Sequence, residues 1–247
     1  MACIEISYIE ISYANRAGHA GPLSYEPFGG NMSFQVMMQQ LASGLLRSIE
    51  IFALTLLFSL PLGLLVAFGR MSRNRILRSV VWVYISILRG TPLMLQLLAV
   101  YFGPFYLFKM KLGPMWRFTA IIIAFSVNYA AYFSEIYRSG IESMSPGQYE
   151  AARILGYSKM STFFRIIFPQ VVKRILPSVT NEVITLVKDT SLAFSLAYAE
   201  MFTIAKQIAA KETSFAPFIA AAVFYYVFNA IVAFSMERIE KSLDYYT

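Results

Sequence analysis

The sequence predicts an all-α protein that crosses a membrane several times, and three observations predict it. Of 247 residues, 57% are hydrophobic and only 14% charged, where soluble domains carry about 25% charge. Mean hydropathy is +0.57. Apolar runs of membrane-crossing length recur along the chain, and helices are the solution that satisfies every backbone group inside such runs. Five spans of about 20 residues or more leave roughly half the chain for tails and loops, too little for a separate soluble catalytic domain. Cys3 is the only cysteine and His19 the only histidine, so His/Cys metal clusters and HExxH membrane proteases are excluded. The net charge of +7 is first explained by basic loops retained on the cytoplasmic side, with no need for nucleic acid.

Residues 1–35 mix Glu5, Glu10, Asn15, Arg16, His19 and Glu26 with Gly and Pro. They lack the apolar core of a signal peptide and read as a disordered polar leader. Gly29-Gly30 precedes Met32, and two glycine codons can spell a ribosome-binding purine run. Met32 is therefore an expected alternative start, which the N-terminal mass of the expressed protein decides.

The first span is predicted over about Gly44 to Phe68, with Pro61 and Gly63 tolerated because neighbouring helices satisfy freed backbone groups. Arg70, Arg73, Arg75 and Arg78 follow with no acid among them, the mark of a cytoplasmic link. The second stretch, about Val80 to Phe108, is longer than a bilayer needs, and Arg89-Gly90-Thr91-Pro92 interrupts it with an expected kink or break. The third span is predicted over about Phe118 to Tyr137. Residues 138–174 are hydrophilic, with Arg138, Arg153, Lys159, Arg165, Lys173 and Arg174 against Glu142 and Glu150, and are also assigned to the cytoplasm.

A fourth span begins between Phe168 and Ile175 and runs to about Val187. Ser191 to Ile208 is apolar, but it follows Lys188-Asp189 without a turn loop, so a partly re-entrant or interfacial helix is expected there. The last span is predicted over Phe215 to Phe234, and residues 241–247 end a cytoplasmic tail. Ten basic residues fall in the two inner links, against Lys109, Lys111 and Arg117 outside. That bias puts the N-terminus outside, and five spans then return the C-terminus inside; were Ser191 to Ile208 a span of its own, the tail would lie outside.

Within the 138–174 loop, Ser145-Pro146-Gly147-Gln148 has the residues of a helix start: a cap, a proline at the first helical position, and Gln148 where a capping box reaches back. Gly156 supplies the left-handed residue that ends this helix. Ser158 then caps a second short helix, expected to end before Pro169. Two short helices at a fixed elbow form a projection suited to a groove on a soluble partner.

Glu150-Ala151-Ala152, with Gly156, Ile167 and Pro169 beyond, resembles the EAA loop of ABC importer permeases. Further blocks sharpen the resemblance to the polar amino-acid permease family, which includes histidine, glutamine, arginine and cystine uptake systems: Arg89-Gly90-Thr91-Pro92-Leu93, Tyr101-Phe102-Gly103, Ala131-Tyr132-Phe133-Ser134-Glu135-Ile136, Leu176-Pro177 with Asn181-Glu182, and Lys188-Asp189-Thr190-Ser191-Leu192. The similarity covers about residues 40–240. It implies a type I ABC importer transmembrane fold with five helices per subunit in a bacterial inner membrane. It also implies a second permease copy or paralogue, an ABC ATPase dimer holding the ATP and Mg, and an extracytoplasmic amino-acid-binding protein. Carried over by residue, Glu150, Ala151, Ala152 and Gly156 are the positions that couple to the ATPase.

The chain has no GxxxxGK[ST] loop, so ATP is expected on another subunit. Charged groups inside a bilayer usually face a bundle interior or a wet cavity. Asn128, Tyr132 and Glu135 form one stripe of the third span; Glu182, Thr185 and Asp189 form one of the fourth, with Asn181 and Lys188 beside it. Arg89 or Lys188, with Glu182 or Asp189, could meet the two charges of an amino acid. The same Arg89, Lys188 and Asp189 equally suit a structural role at the membrane boundary, paired or snorkelling, and Asn128 and Tyr132 suit interhelical hydrogen bonds. Met37, Met38, Met94, Met110 and Met201 read as packing, and the four arginines of the first link fix topology and can touch anionic lipid. A self-contained ion-coupled secondary transporter is the alternative function. That class often has matched broken helices in two repeats, and the break at Arg89 to Pro92 has no evident counterpart in the second half.

Overall fold

A computed structural model describes residues 32–243; the leader up to residue 31, with Cys3 and His19, and residues 244–247 of the tail lie outside the described residues. Helix α1 runs over Phe34–Arg70, beginning well before the predicted Gly44. Its buried residues include Gly44, Ser48, Ile51, Thr55, Ser59, Gly63 and Ala67, a nearly four-residue repeat of mostly small side chains down one face. Lipid gives apolar helices no hydrophobic reason to associate, so close packing through small residues must supply the attraction. At Gly63 a Cβ atom would lie 2.9 Å from Cβ of Phe133, so this contact tolerates only glycine without a shift. Pro61 lies inside the helix without ending it.

The partner of that face is α4, Trp116–Glu142, the centre of the bundle. In its most apolar window 67% of residues are buried, against 28% for α1 and 11% for the last helix. Ile121, Phe125, Tyr129 and Phe133 of α4 form the core with Ile51 and Leu97. Helices α2, Arg75–Gly90, and α3, Leu93–Phe108, are the two halves of the second apolar stretch. They are bent by 112° at the break, a sharp turn and not a mild kink. Asn74 caps α2 by accepting from the Ile76 amide at 2.9 Å, and the indole of Trp116 donates to the Tyr101 carbonyl at 2.9 Å, tying α3 to the start of α4.

After α4 come α5, Pro146–Ile154, and α6, Lys159–Thr162. Arg138 and Glu142, read from sequence as loop residues, are the last turns of α4. The expected stop before Pro169 does not occur. A π-helical turn over Phe163–Ile167 leads directly into α7, Phe168–Asp189. Pro169 lies in the first turn of α7, where its missing donor costs least, and Phe163 meets Phe164 edge-on and Phe168 at a tilt along the continuous path.

A 3₁₀ turn over Thr190–Leu196 follows, the chain reverses at Ala197 with a φ of 51°, and α8 covers Met201–Glu212. Its 12 residues reach only about 18 Å, short of a bilayer core. Glu200, absent from the sequence reading of intramembrane acids, is fully buried. Its carboxylate caps α8 by accepting from the amides of Phe202 and Thr203 at 2.6 Å each and from the Tyr225 hydroxyl at 3.1 Å. The interruption from Thr190 to Glu200 shows that the second half does contain a break, contrary to the sequence reading.

Helix α9, Ala216–Leu243, absorbs much of the expected tail; Lys241 pairs with Glu237 one turn apart. Among the described residues α1, α4 and α9 are long and apolar enough to cross a membrane, and the bent pair α2–α3 makes up to four. The fourth predicted span corresponds to α7, which is long enough at 22 residues but carries Lys173, Arg174, Glu182, Lys188 and Asp189.

Candidate functional site: a polar cleft and an exposed elbow

The two polar stripes meet. A cavity of about 230 Å³ is lined by Thr91, Asn128, Tyr129, Tyr132, Glu182, Thr185 and Asp189 among others. A second, of about 380 Å³, takes in Arg89, Tyr132, Glu135, Arg138, Arg174 and Glu182. Tyr132 and Glu182 line both, so the two cavities adjoin and make a polar cleft region between α4, α7 and the bend of α2–α3. Asn181 and Lys188 are exposed and line neither cavity.

Within the cleft the stripe residues differ in how far they are already engaged. Asn128 is buried and donates to the Gln96 side-chain oxygen at 2.9 Å and to the Leu88 carbonyl at 3.2 Å. Gln96 in turn donates to the Leu88 carbonyl at 2.9 Å, the Thr91 carbonyl at 3.1 Å and the Thr91 hydroxyl at 2.9 Å. These bonds satisfy carbonyls that the break leaves without helical partners, the condition on which irregular backbone survives at membrane depth. Asn128 thus holds the bend, and Gln96, missed in the sequence, is its main fastener. A glutamine in the otherwise apolar run from Leu93 to Phe108 was the available signal.

Tyr129, also missed, donates to Asp189 Oδ2 at 2.8 Å and bridges α4 to α7. Glu135 is bound by Arg138 at 2.7 Å, and Arg138 also engages Glu142. Thr185 turns its hydroxyl to the Asn181 carbonyl at 2.9 Å. Arg89 sits with its guanidinium 5.1 Å from the Tyr132 ring centroid, an attractive cation–π distance. It makes no ion pair among the described residues. The half-buried Glu182 carboxylate likewise has no hydrogen bond or ion pair there, so one group of each sign faces the cleft unpaired.

The elbow lies beyond α4. Ser145 has the extended backbone of a cap, but its side chain accepts no hydrogen bond. The capping box does not form, because Gln148 reaches across to the Gln170 side-chain oxygen at 2.7 Å and fastens α5 to α7 instead. At the other end Gly156 has a φ of 78°. Its amide donates to the Arg153 carbonyl at 3.0 Å and the Tyr157 amide to Ala152 at 3.0 Å, the paired bonds of a Schellman turn. Ser158 caps α6 through the Ser161 amide at 3.2 Å, as expected.

Ala152 is 1% exposed and packs within the chain, while Glu150 and Ala151 face outward. Burial pushes the Tyr149 hydroxyl above its ordinary range. The tip of the elbow, outside the Glu150, Ala151, Ala152 and Gly156 set, is apolar and bare: Ile154 is 86% exposed, Leu155 74% and Met160 68%. Apolar residues flanking a glycine in a polar loop were the signal.

An all-helical membrane bundle with a polar cleft and a projecting elbow defines a membrane transport component. Residues 59–245 match the family described as binding-protein-dependent transport system inner membrane component, and the chain belongs to that family, the permeases of ABC importers. It is 38% identical over 208 residues to the L-cystine transport system permease protein TcyB of Bacillus subtilis (strain 168), covering 83% of this chain and 87% of that one. It is 40% identical over 161 residues to the nopaline transport system permease protein NocM of Agrobacterium fabrum (strain C58), covering 63% and 67%. A chain in the crystal structure of an amino acid ABC transporter with histidines superposes with a TM-score of 0.77 at 31% identity, over 87% of this chain and all of that one. The MetNI methionine ABC transporter, at 18% identity and a TM-score of 0.68, covering 86% and 99%, shares the fold.

Proposed function

We propose that this chain is the transmembrane permease subunit of an ATP-driven importer that passes polar amino acids inward by alternating access. The observation that carries the reading is the cleft, where half-buried Glu182 and the exposed Arg89 at its rim present charges of opposite sign that no ion pair among the described residues ties up. A zwitterionic solute matches that pattern, since each of its charges loses hydration and needs a partner. Relatives named for cystine, nopaline and amino acids support the class of substrate.

In this reading α1, the α2–α3 pair, α4, α7 and α9 are the five helices, with the N-terminus outside and the C-terminus cytoplasmic in a bacterial inner membrane. The exposed elbow docks on an ABC ATPase through Glu150, Ala151 and the Ile154–Leu155 tip, with Gly156 setting its angle and Ala152 anchoring it. ATP and Mg reside on the ATPase. A second permease completes the pathway, and an extracytoplasmic binding protein delivers substrate.

Reconstitution of the purified chain with and without its ATPase tests this. Uptake of a polar amino acid should require both the ATPase and ATP. Uptake by the chain alone, driven by a proton or sodium gradient, would overturn the proposal in favour of a secondary transporter. Glu150→Lys should insert normally and lose transport, and wild-type uptake by that variant would remove the coupling assignment.

A further inference from the structure

Between Glu50 and Glu135 the sequence contains no acidic residue, while Arg70, Arg73, Arg75, Arg78, Arg89, Lys109, Lys111 and Arg117 all fall in that interval. Four of these crowd the link where α1 ends and α2 begins. Arg73, Arg75 and Arg78 are exposed and Arg70 half-exposed; among the described residues none of the four makes a hydrogen bond or ion pair. The first turn of α2 holds no acid. Like charges held this close repel, and among the described residues only Arg70 is near enough to an acid, Glu135, to be partly offset.

The next two turns present a different chemistry. Ile76 is 76% exposed, Val80 61% and Trp82 54%, with Leu77 and Val83 also outward. Polar and apolar demands therefore adjoin within one stretch of helix: several guanidiniums, then a bare hydrocarbon surface bearing a tryptophan of the kind enriched at membrane interfaces. Nucleic acid would answer the first demand and not the second. An anionic phospholipid answers both, with its phosphate accepting from the arginines and its acyl chains covering the apolar side.

We propose that Arg73, Arg75 and Arg78, with Arg70 beside them, form an anionic-phospholipid site at the α1–α2 link, whose acyl chains lie along Ile76, Val80 and Val83. The occupant is a lipid of the leaflet at which α1 ends. This role is independent of which solute the cleft carries and of which ATPase the elbow meets.

The test uses the purified permease in its complex with the ATPase, in neutral detergent, titrated with dioleoylphosphatidylglycerol, with dioleoylphosphatidylcholine and with inorganic phosphate. Thermal unfolding is the readout. Phosphatidylglycerol should raise the midpoint and bind about 100-fold tighter than phosphatidylcholine, as summed over three guanidiniums near an anionic surface. Inorganic phosphate should do nothing, and high salt should abolish the difference. The triple variant Arg73→Gln, Arg75→Gln, Arg78→Gln should lose the phosphatidylglycerol shift and keep its melting in phosphatidylcholine. The corresponding triple Lys variant, which keeps the charges that orient the helices, should retain most of the shift.

An equal phosphatidylglycerol shift in the Gln variant would overturn the site. So would equal shifts from both lipids, or a wild-type shift that survives high salt. Stabilisation by polyglutamate with none by phosphatidylglycerol would also overturn it, assigning the patch to an acidic protein. If the Gln variant fails to insert, the wild-type salt series and lipid comparison still decide.

Discussion

The bend of α2–α3 and the elbow of α5–α6 are both sharp turns between helices, and they are held in opposite ways. At the bend, Gln96 and Asn128 gather the carbonyls of Leu88 and Thr91 from inside the bundle. At the elbow, the turn is closed by its own backbone at Gly156, and Ile154, Leu155 and Met160 are left bare. The first turn is completed by the chain itself. The second has a fixed shape and an unfilled surface, which is what a docking element requires.

The largest expected effect breaks the elbow. Proline fixes φ near −65° and cannot take the 78° of Gly156, and it also removes the amide that bonds Arg153. Gly156→Pro should abolish ATP-driven uptake while the membrane bundle melts as wild type; a parallel fall in melting temperature would mean that the elbow supports the fold. Next, Ile154→Asp with Leu155→Asp should weaken association with the ATPase by about 100-fold, as the loss of two apolar contacts of at least about 1.5 kcal/mol each implies. Titration of the two purified components measures it, and unchanged affinity would move the docking surface elsewhere.

At the bend the expected loss is in stability. Gln96→Leu leaves the Thr91 carbonyl and the Asn128 amide short of partners, at a cost of about 1–3 kcal/mol, visible as a lower unfolding midpoint and a cleft that binds substrate less tightly. Glu182→Gln is smaller and cleaner. The carboxylate has no bonding partner in the described chain, so melting should hold while the KM for uptake rises a few-fold; lost stability with unchanged KM would make Glu182 structural. The smallest change is Lys241→Ala on the exposed face of α9, where breaking the pair with Glu237 should alter neither uptake nor melting beyond error.

The contrast also explains what could be read from sequence. Apolar run length located the helices, and Gly156 announced its turn because a positive φ is a local property. The Gly90-Thr91-Pro92 interruption announced a break but not its 112° angle, since that angle depends on Gln96 and Asn128, which are distant in sequence from each other. Gln148 was misread for the same reason: a local capping partner was available, and Gln170 of α7 took it. Pro169 looked like a stop because its effect was judged alone, whereas the aromatic cluster of Phe163, Phe164 and Phe168 carries the helix past it. Glu200 escaped notice because an isolated acid in an apolar segment carries no pattern, and only the fold brings Thr203 and Tyr225 to it. In the cleft, the stripes were legible as helical spacing. Which members are free and which are engaged was not, because that is decided by contacts between helices.

The small-residue face of α1 has a mechanical consequence. At Gly63 an added Cβ would lie 2.9 Å from Cβ of Phe133 and 3.2 Å from the Ala130 carbonyl oxygen, so α1 and α4 are closely interlocked there. In the proposed transport cycle they turn as one rigid block. Because Gln96 and Asn128 fasten the bend of α2–α3 to α4, opening and closing of the cleft then falls to its other wall, α7, moving against that block like a leaf on a fixed post.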